Sequence, residues 1–379
     1  MVTIAVTAER DGEPRVAVSP ETVKKLTAMG FQVKVEAGAG AGSRYSDELL
    51  AAQGAQIAPT AAAVLDGADV LLKVRRPTAD ELKALKSGAI VAAMLAPYDD
   101  RADLDALAGT GAVLMAMEFM PRISRAQSMD ALSSQANLAG YKAVIDAAAM
   151  FGQALPMMMT AAGTVPAAKA FIMGVGVAGL QAIATARRLG AVVSATDVRP
   201  ATKEQVASLG AKFIAVEDDE FKQAQTAAGY AKPMSAEYQK KQAELVANHI
   251  KNQDIVITTA LIPGRPAPRL ITRAMVESMK PGAVIVDLAA ERGGNCELTK
   301  TGEIVDHGGV RIYGPVNLAA EIAVNASSLY AKNLLAFLDT LIDKKEKKLA
   351  INWDDEIVKG TLVAKDGKIV HPSLQGAAT

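Results

Sequence analysis

Short apolar runs alternate with helical patterns along most of the chain. Most of these runs are mainly apolar, which is typical of buried strands in a parallel sheet. Strands that alternate with helices predict crossover units, and therefore α/β domains with mostly parallel sheets. The predicted strands are residues 2–6, 31–36, 70–74, 89–94, 112–116, 170–173, 191–196, 255–258, 283–287 and 310–313.

Other segments break this alternation. Residues 117–140 are polar, and we predict a loop that leads into a long helix through residues 141–151. Residues 217–234 lack clear periodicity, which is typical of a functional loop or a solvated excursion. A strong helical pattern after Asn317 predicts a helix that returns to the first domain, and Asp366-Gly367 predicts the turn of a terminal hairpin.

The composition narrows the classes of function. The 379 residues suffice for two domains, and 41 basic residues balance 41 acidic ones. Zero net charge and only 4% aromatic residues argue against a nucleic-acid partner. The single cysteine, Cys296, excludes an internal disulfide and a cysteine-rich zinc site, so we expect no metal and a reducing compartment. The uncharged stretches 154–168 and 170–186 are too interrupted or too polar to span a bilayer.

One glycine pattern carries chemistry. Gly174-Val175-Gly176-Val177-Ala178-Gly179 follows an apolar strand and precedes a helical pattern. In a dinucleotide-binding turn, the first glycine allows the tight turn, the second lets the backbone approach a pyrophosphate, and the third lets helix and strand pack closely. The free N–H groups of the helix N-terminus then face the phosphates. The alternative is an ordinary strand–turn–helix with glycines for packing. A second glycine run, 38–43, lacks the following helix and predicts only a flexible turn.

The next predicted strand ends at Asp197, which follows Gly179 by 18 residues. A carboxylate at this place accepts hydrogen bonds from the adenosine ribose and repels a 2′-phosphate, so the pattern predicts NAD(H) rather than NADP(H). Arg199 is the one residue nearby that could meet a 2′-phosphate, and we expect Asp197 to outweigh it.

The histidines do not suggest oxidation of an alcohol or an amino acid. Such a reaction moves a proton and needs a general base, most often histidine. The pattern places His249 at a helix end, His307 in a turn and His371 in the tail, where surface or capping roles are expected. Hydride transfer between two nicotinamides moves no O–H or N–H proton, so the protein need only hold two rings face to face.

Longer motifs resemble a known family. The chain is similar to the alanine dehydrogenase/transhydrogenase family, and within it to the NAD(H)-binding components of proton-translocating transhydrogenases. The resemblance covers essentially the whole chain. It rests on residues 121–141, which include PRISRAQSMD and LSSQANLAGY, and on residues 156–164, 174–179 with Gln181, 197–199 and 258–264.

The resemblance implies roles for individual residues. Arg122, Asp130 and Ser133 would fix the nicotinamide carboxamide, and Gln127 would help to bridge toward a second nucleotide. Without the resemblance, helix-capping and turn hydrogen bonds are the preferred explanation for this polar stretch. Tyr230 would lie on a mobile loop that closes over the nucleotide. The residues expected to bind NAD(H) are Gly174, Val175, Gly176, Val177, Ala178, Gly179, Asp197, Val198, Arg199, Tyr230, Thr259, Ala260 and Leu261.

Alanine dehydrogenases are the relatives to set apart. Arg15 and Lys73 match the two basic residues that hold a keto acid there. The position of the catalytic histidine, however, falls in Ala93-Met94-Leu95-Ala96, and Glu291 replaces the catalytic aspartate. We therefore expect a transhydrogenase component. An amino-acid dehydrogenase and a non-catalytic NAD-binding module remain as alternatives.

These inferences give a full set of expectations. The fold is expected to consist of two doubly wound, Rossmann-like α/β domains with a nucleotide cleft between them. Residues 1–132 plus 325–379 would form the first domain and residues 133–324 the second. The resemblance further implies a homodimer, NADP(H) bound on a partner component, and a separate membrane-spanning subunit that conducts protons. The chain would then be cytoplasmic and peripheral on the cytoplasmic face of the bacterial inner membrane.

Overall fold

The computed structural model describes residues 1–224 and 234–375. The chain forms two compact units, Met1–Gln135 together with the chain from Ala320 onward, and Ala136–Ala319. The boundaries expected from the sequence, 132/133 and 324/325, lie a few residues from these junctions. Within the described residues, no helix is both long enough and apolar enough to cross a bilayer.

The first unit begins with a regular alternation of strands and helices. Ser19 caps the first helix: its Oγ accepts a hydrogen bond from Thr22 N at 3.3 Å, and Pro20 opens the first turn. Short 3₁₀ turns lie at Ala41–Ser43, Met117–Phe119 and Ser124–Met129. The elements are β1 (Thr3–Val6), α1 (Pro20–Ala28), β2 (Gln32–Glu36), α2 (Asp47–Ala51), β3 (Gln56–Ala58), α3 (Ala61–Leu65), β4 (Val70–Leu72), α4 (Ala79–Lys83), β5 (Ile90–Ala93), α5 (Arg101–Ala108) and β6 (Val113–Ala116).

The second unit starts within a long helix. That helix, α6 (Ala131–Phe151), is the predicted long helix, but it begins ten residues earlier than residue 141, within the polar segment that was expected to form a loop. The remaining elements are β7 (Met158–Thr160), β8 (Gly163–Val165), β9 (Lys169–Met173), α7 (Val177–Arg188), β10 (Val192–Thr196), α8 (Thr202–Ser208), β11 (Lys212–Phe213), α9 (Asp219–Lys222), α10 (Ala236–Ile250), β12 (Ile255–Thr258), α11 (Arg273–Glu277), β13 (Val284–Asp287), β14 (Ile304–His307) and β15 (Val310–Tyr313).

The chain from Ala320 onward completes the first unit. Its elements are α12 (Ala323–Leu338), β16 (Ile342–Asp343), β17 (Lys348–Leu349), α13 (Glu356–Thr361), β18 (Leu362–Lys365), β19 (Lys368–Ile369) and α14 (Pro372–Gln375). β18 pairs antiparallel with β6 and with β19, so this segment extends the first sheet. Asp366 and Gly367 have φ values of 52° and 77°, which form the predicted tight turn of the hairpin.

Both sheets are doubly wound, which confirms the predicted fold class. The first sheet has the order β19-β18-β6-β5-β4-β1-β2-β3, and the second has the order β11-β10-β9-β12-β13-β15-β14. Strand order therefore reverses between β1 and β4 in one sheet and between β9 and β12 in the other. In open α/β sheets, ligands bind beyond the carboxyl ends of the strands at such switch points.

The apolar runs form strands because both faces of each sheet are covered. In β1, Ile4 and Val6 belong to one hydrophobic cluster and Ala5 to the cluster on the opposite face. In β9, Ile172 and Phe171 divide between two clusters in the same way. A strand buried on both sides needs apolar residues at nearly every position. The ten predicted strands match strands of the structure, and most of them are buried in this way, whereas β2 and β15 alternate buried positions with partly buried or exposed ones.

The strands that sequence analysis missed are short or exposed. Gln56, Met159 and Lys212 are exposed positions of β3, β7 and β11, and each of these strands has only two or three residues. His307, which was expected in a turn, ends β14 and pairs with Val310 across Gly308-Gly309. The helix expected over residues 318–342 consists of a 3₁₀ turn followed by α12, which ends at Leu338.

A buried network of charged side chains lies beyond the carboxyl ends of β1 and β4. Lys73 Nζ donates to Thr7 Oγ1 at 3.0 Å and to Glu81 Oε1 at 3.2 Å. Arg15 forms two hydrogen bonds of 2.7 Å to the Glu13 carboxylate, and both side chains are nearly inaccessible to solvent. Burial alone would raise the pKa of Glu13, but hydrogen bonds and charge from Arg15, with a hydrogen bond from Arg75, outweigh burial and lower it to about 2.

The lowered pKa of Glu13 predicts a specific acid sensitivity. A carboxylate whose pKa is lower in the folded state stabilises the fold above its unfolded pKa and loses that contribution as the pH falls toward its folded pKa. We expect Glu13→Gln to lower the free energy of unfolding by roughly 2–3 kcal/mol at pH 6. The difference from the wild type should shrink as the pH falls from about 4.5 toward 2. Urea unfolding at a series of pH values measures it.

The matched control is Glu346→Gln, since the Glu346 side chain in the same unit is 64% exposed. This variant should unfold like the wild type throughout. A Glu13→Gln difference that stays constant from pH 6 to pH 3 would show that ionisation of Glu13 does not contribute to stability.

Candidate functional site

The turn between β9 and α7 lies at the switch point of the second sheet. Gly174 has φ of +99°, a conformation that favours glycine, and a Cβ there would lie 2.7 Å from Thr259 Oγ1. A Cβ on Gly179 would collide with the carbonyl oxygen of Gly174. The first and third glycines of the pattern are therefore required by the fold itself, as the sequence predicts.

Gly176 differs from the other two glycines. Its φ is −82°, which any residue adopts, and a Cβ built on it would meet no described heavy atom within 4 Å. The fold thus leaves an open space beside the backbone at the N-cap of α7. A glycine at the N-cap offers no side chain to the free N–H groups of Val177, Ala178 and Gly179, and those groups attract an anion. The arrangement fits the pyrophosphate of a dinucleotide.

Asp197 follows β10 and joins the turn to the neighbouring strand. Its Oδ2 accepts from Val175 N at 2.8 Å, and its Oδ1 accepts from Arg199 N at 2.9 Å. The Arg199 guanidinium binds both carboxylate oxygens, at 2.9 and 2.8 Å, and also donates to Val175 O at 3.1 Å. The hydrogen bonds that Arg199 donates to the Asp197 carboxylate raise the pKa of Arg199.

This pairing bears on whether Arg199 could bind a 2′-phosphate. Asp197 is almost buried, at 7% side-chain exposure, and Arg199 is 28% exposed. Arg199 is held by Asp197 rather than left free to meet a 2′-phosphate. A ribose hydroxyl that donates to Asp197 would have to share the carboxylate oxygens with the Arg199 guanidinium. Val198, between them, is exposed.

Residues that follow β12 support the same turn. Thr259 Oγ1 donates to Gly174 O at 3.0 Å, which fixes Gly174 from the neighbouring strand. Asn295 Oδ1 accepts from Ala260 N at 3.0 Å, and Asn295 Nδ2 donates to Ala260 O at 2.9 Å. Leu261 is 53% exposed, so this loop presents an apolar side chain to solvent. Tyr230, the remaining expected contact, lies outside the described residues.

Sequence analysis missed two residues that shape this region. Asn295 is fully buried and holds Ala260 from both sides. Gly140 packs so closely on α7 that a Cβ would collide with the carbonyl oxygen of Ala178. A glycine inside a helical pattern is a signal for such a close approach, whereas no local feature marks Asn295.

The polar segment 121–130 lies in the first unit and borders a cavity of about 220 Å³. Ala126 and Met129 are buried against the hydrophobic core of this unit, while Arg122 and Gln127 are exposed. The 3₁₀ turn thus directs every third side chain, Ala126 and Met129, into the core and the side chains between them toward solvent. The cavity is lined by Pro121, Arg122, Ile123, Ser124, Ala126, Gln127 and Asp130.

Asp130 and Ser133 form the N-terminal cap of α6. Asp130 Oδ1 accepts from Ser133 N at 2.8 Å, and Ser133 Oγ donates to Asp130 Oδ2 at 2.5 Å. These are the capping hydrogen bonds that the residues alone suggest. This set of side chains is also suited to bind an amide group. The Asp130 carboxylate can accept hydrogen bonds from an amide N–H, and Gln127 and Arg122 can donate to an amide oxygen.

The three histidines have structural contacts. His249 Nε2 lies 2.8 Å from Ser194 Oγ, His307 Nε2 lies 3.0 Å from Glu277 Oε1, and His371 Nε2 lies 3.1 Å from Gly360 O. Burial, with the positive charges of Lys212 and Lys169, lowers the pKa of His249, and burial lowers that of His371. The surface and capping roles expected of them agree with these contacts.

The loop after β5, where alanine dehydrogenases are expected to carry a histidine, is fixed by charged side chains. Leu95 N and Ala96 N donate to the Glu118 carboxylate at 3.0 and 2.6 Å. Arg76 donates to the carbonyl oxygens of the same two residues, at 2.6 Å each. Burial raises the pKa of Glu118. Ala96 has φ of +45°, and residues 93–96 are Ala, Met, Leu and Ala, whose side chains do not transfer protons.

Known proteins match this chain over most of its length. The family described as "Alanine dehydrogenase/PNT, N-terminal domain" matches residues 5–139, and "Alanine dehydrogenase/PNT, C-terminal domain" matches residues 143–372. The chain is 58% identical over 379 residues to a Rhodospirillum rubrum protein whose name describes it as the first portion of NAD(P) transhydrogenase subunit alpha. That match covers 98% of this chain and 99% of the relative.

Two further comparisons place the chain among its relatives. The crystal structure of transhydrogenase from Sinorhizobium meliloti has a TM-score of 0.88 and 60% sequence identity, and the match covers 97% of this chain and 100% of that one. An alanine dehydrogenase from Mycobacterium tuberculosis is 33% identical over 297 residues, which are 76% of this chain and 72% of that protein. The chain therefore belongs to the alanine dehydrogenase/PNT family.

Proposed function

We propose that this chain is the NAD(H)-binding subunit of a proton-translocating transhydrogenase. It would hold NADH while the hydride passes directly to NADP⁺ on a partner component. The observation that carries the proposal is the turn at Gly174–Gly179, where the fold requires two glycines and leaves the third beside open space. The similar proteins from Rhodospirillum rubrum and Sinorhizobium meliloti are named as a transhydrogenase subunit and a transhydrogenase, which supports hydride transfer between nucleotides as the reaction.

The bound dinucleotide would supply the hydride, and the chain would hold the dinucleotide in the geometry needed for transfer. The backbone N–H groups of α7 would hold the pyrophosphate, and Asp197 would hold the adenosine ribose. Arg122, Asp130 and Ser133 would orient the carboxamide, and Gln127 would face the second nucleotide. No proton leaves an oxygen or a nitrogen in this transfer, so it needs no general base.

The proposed reaction needs partner proteins, because this chain would bind only one of the two nucleotides. The hydride acceptor would be bound by an NADP(H)-binding component, and proton conduction would belong to a membrane-spanning subunit. We propose a homodimer that is peripheral on the cytoplasmic face of the bacterial inner membrane. The word "subunit" in the relative's name supports the need for partners.

The glycines give a matched pair of variants. Gly176→Ala places a methyl group in open space, so the fold should keep its stability, whereas the dissociation constant for NADH should rise about 10-fold or more because the backbone can no longer approach the phosphates. Gly179→Ala forces a collision with Gly174 O and should destabilise the protein by about 2 kcal/mol. Thermal unfolding and calorimetric titration with NADH measure the two effects.

Opposite outcomes would contradict this assignment. If Gly176→Ala binds NADH as tightly as the wild type, the pyrophosphate does not lie beside Gly176. If Gly179→Ala keeps full stability, the close approach of α7 to the turn is wrong.

Gln127 gives the test of the reaction. The chain is mixed with a purified NADP(H)-binding component of a transhydrogenase, and reduction of the acetylpyridine analogue of NAD⁺ by NADPH is followed. The wild type should accelerate this reaction. Gln127→Asn should slow it about 10-fold or more, because a shorter amide misplaces the rings, while the NADH dissociation constant stays within about twofold of the wild-type value.

Gln205→Asn is the control, since Gln205 is exposed on α8 in the other unit. Its rate should equal that of the wild type. A wild-type chain that gives no acceleration would identify a non-catalytic NAD-binding module. Appreciable turnover of pyruvate, ammonia and NADH by the chain alone would identify an amino-acid dehydrogenase.

A further inference from the structure

Asn333 on α12 connects two parts of the polar segment that the proposed reaction uses. Its Nδ2 donates to Ser128 O at 2.8 Å, and its Oδ1 accepts from Ser134 Oγ at 2.7 Å. Ser128 is adjacent to Gln127 in the 3₁₀ turn, and Ser134 is adjacent to Ser133 in the first turn of α6. One side-chain amide therefore bridges both segments.

The Asn333 amide is buried and is hydrogen-bonded at both its nitrogen and its oxygen. Asn333 is 7% exposed, and a buried amide of this kind must be hydrogen-bonded to be tolerated. A short 3₁₀ turn has poor internal hydrogen bonding, and Asp130 N lies 3.4 Å from Gln127 O, a long contact. The turn therefore depends on an outside partner to fix the spacing between Gln127 and Asp130.

The bridge continues into the charged network of the same unit. Gln135 Nε2 donates to Ser134 Oγ at 3.2 Å and to Ala326 O at 3.1 Å. Arg15 Nη1 donates to Gln135 Oε1 at 2.8 Å, and Arg15 is paired with Glu13. Asn333 is thus connected by a continuous series of hydrogen bonds through Ser134, Gln135 and Arg15 to Glu13.

A second contact holds the same turn from its other side. Arg125, which does not line the cavity, binds the Asp355 carboxylate with both terminal nitrogens, at 2.7 and 3.0 Å. This contact fixes the start of the turn, whereas Asn333 fixes its end. Of these two contacts, only that of Asn333 links the turn to the helix start that carries Asp130 and Ser133.

We propose that Asn333 is a positioning residue for hydride transfer, which acts by fixing Gln127 relative to Asp130 and Ser133. The proposal rests on the function proposed above. A misplacement of about 1 Å in a reacting pair costs about 100-fold in rate, so a lost support that lets the turn shift by a fraction of that distance is measurable. Binding of the dinucleotide through α7 does not involve this bridge.

The test measures single-turnover hydride transfer with the NADP(H)-binding component, together with the NADH dissociation constant. Single-turnover rate constants do not depend on the fraction of folded protein, so a loss of stability alone would not change them. We expect Asn333→Ala to slow transfer about 10-fold with NADH affinity within about twofold. Asn325→Ala, an exposed asparagine on the same helix, is the control and should match the wild type.

Ser134→Ala and a double variant test the same bridge independently of Asn333→Ala alone. Ser134→Ala removes the donor to Asn333 Oδ1 without creating a large cavity, and it should slow transfer several-fold even if Asn333→Ala fails to fold. In the Gln127→Asn background, Asn333→Ala should have less effect than in the wild type, because both changes act on the same turn.

The outcomes separate the two proposals. If Asn333→Ala and Ser134→Ala transfer hydride as fast as Asn325→Ala, or if the Gln127 and Asn333 effects are additive, then Asn333 is not a positioning residue. If the wild type itself transfers no hydride, the proposed function fails instead.

Discussion

The carboxylate of Asp197 is the constraint on which the candidate site depends. It is nearly buried, and a buried carboxylate is tolerated only where hydrogen bonds and an opposite charge compensate it. Val175 N and the Arg199 guanidinium provide this compensation. The same contacts tie the glycine turn after β9 to the end of β10. Asp197 therefore links the end of β10 to the turn that precedes α7.

The two units contribute different chemistry. In the second, backbone groups and small residues shape a turn for an anion, and Asn295 and Thr259 hold it by hydrogen bonds to the backbone. In the first, an exposed glutamine and a capping carboxylate border a cavity. Neither set resembles an acid–base pair, since the described histidines are engaged elsewhere. Such a chain is suited to hold reactants in position, which is what direct hydride transfer requires.

Much of the fold and part of the site follow from the sequence, for a physical reason. Strands buried on both faces need apolar residues throughout, so β1, β4, β9 and β12 are recognisable locally, whereas the exposed strand β11 is not. The glycine turn is recognisable because its backbone needs particular residues at fixed spacing. Asn333 and Asn295 could not be found in this way, because their partners are distant in the chain: Ser128 lies 205 residues from Asn333. The bidentate pairing of Asp197 with Arg199 likewise depends on side-chain geometry that spacing does not specify.

The most direct test of the account is calorimetric titration of the wild type and Asp197→Ala with NADH and with NADPH. The wild type should bind NADH at least about 10-fold more tightly, and Asp197→Ala should lose this preference because the freed Arg199 guanidinium can meet a 2′-phosphate. Asp219→Ala, at a carboxylate that is 91% exposed, is the control and should retain the preference. Tighter binding of NADPH by the wild type, or an unchanged preference in Asp197→Ala, would contradict the account.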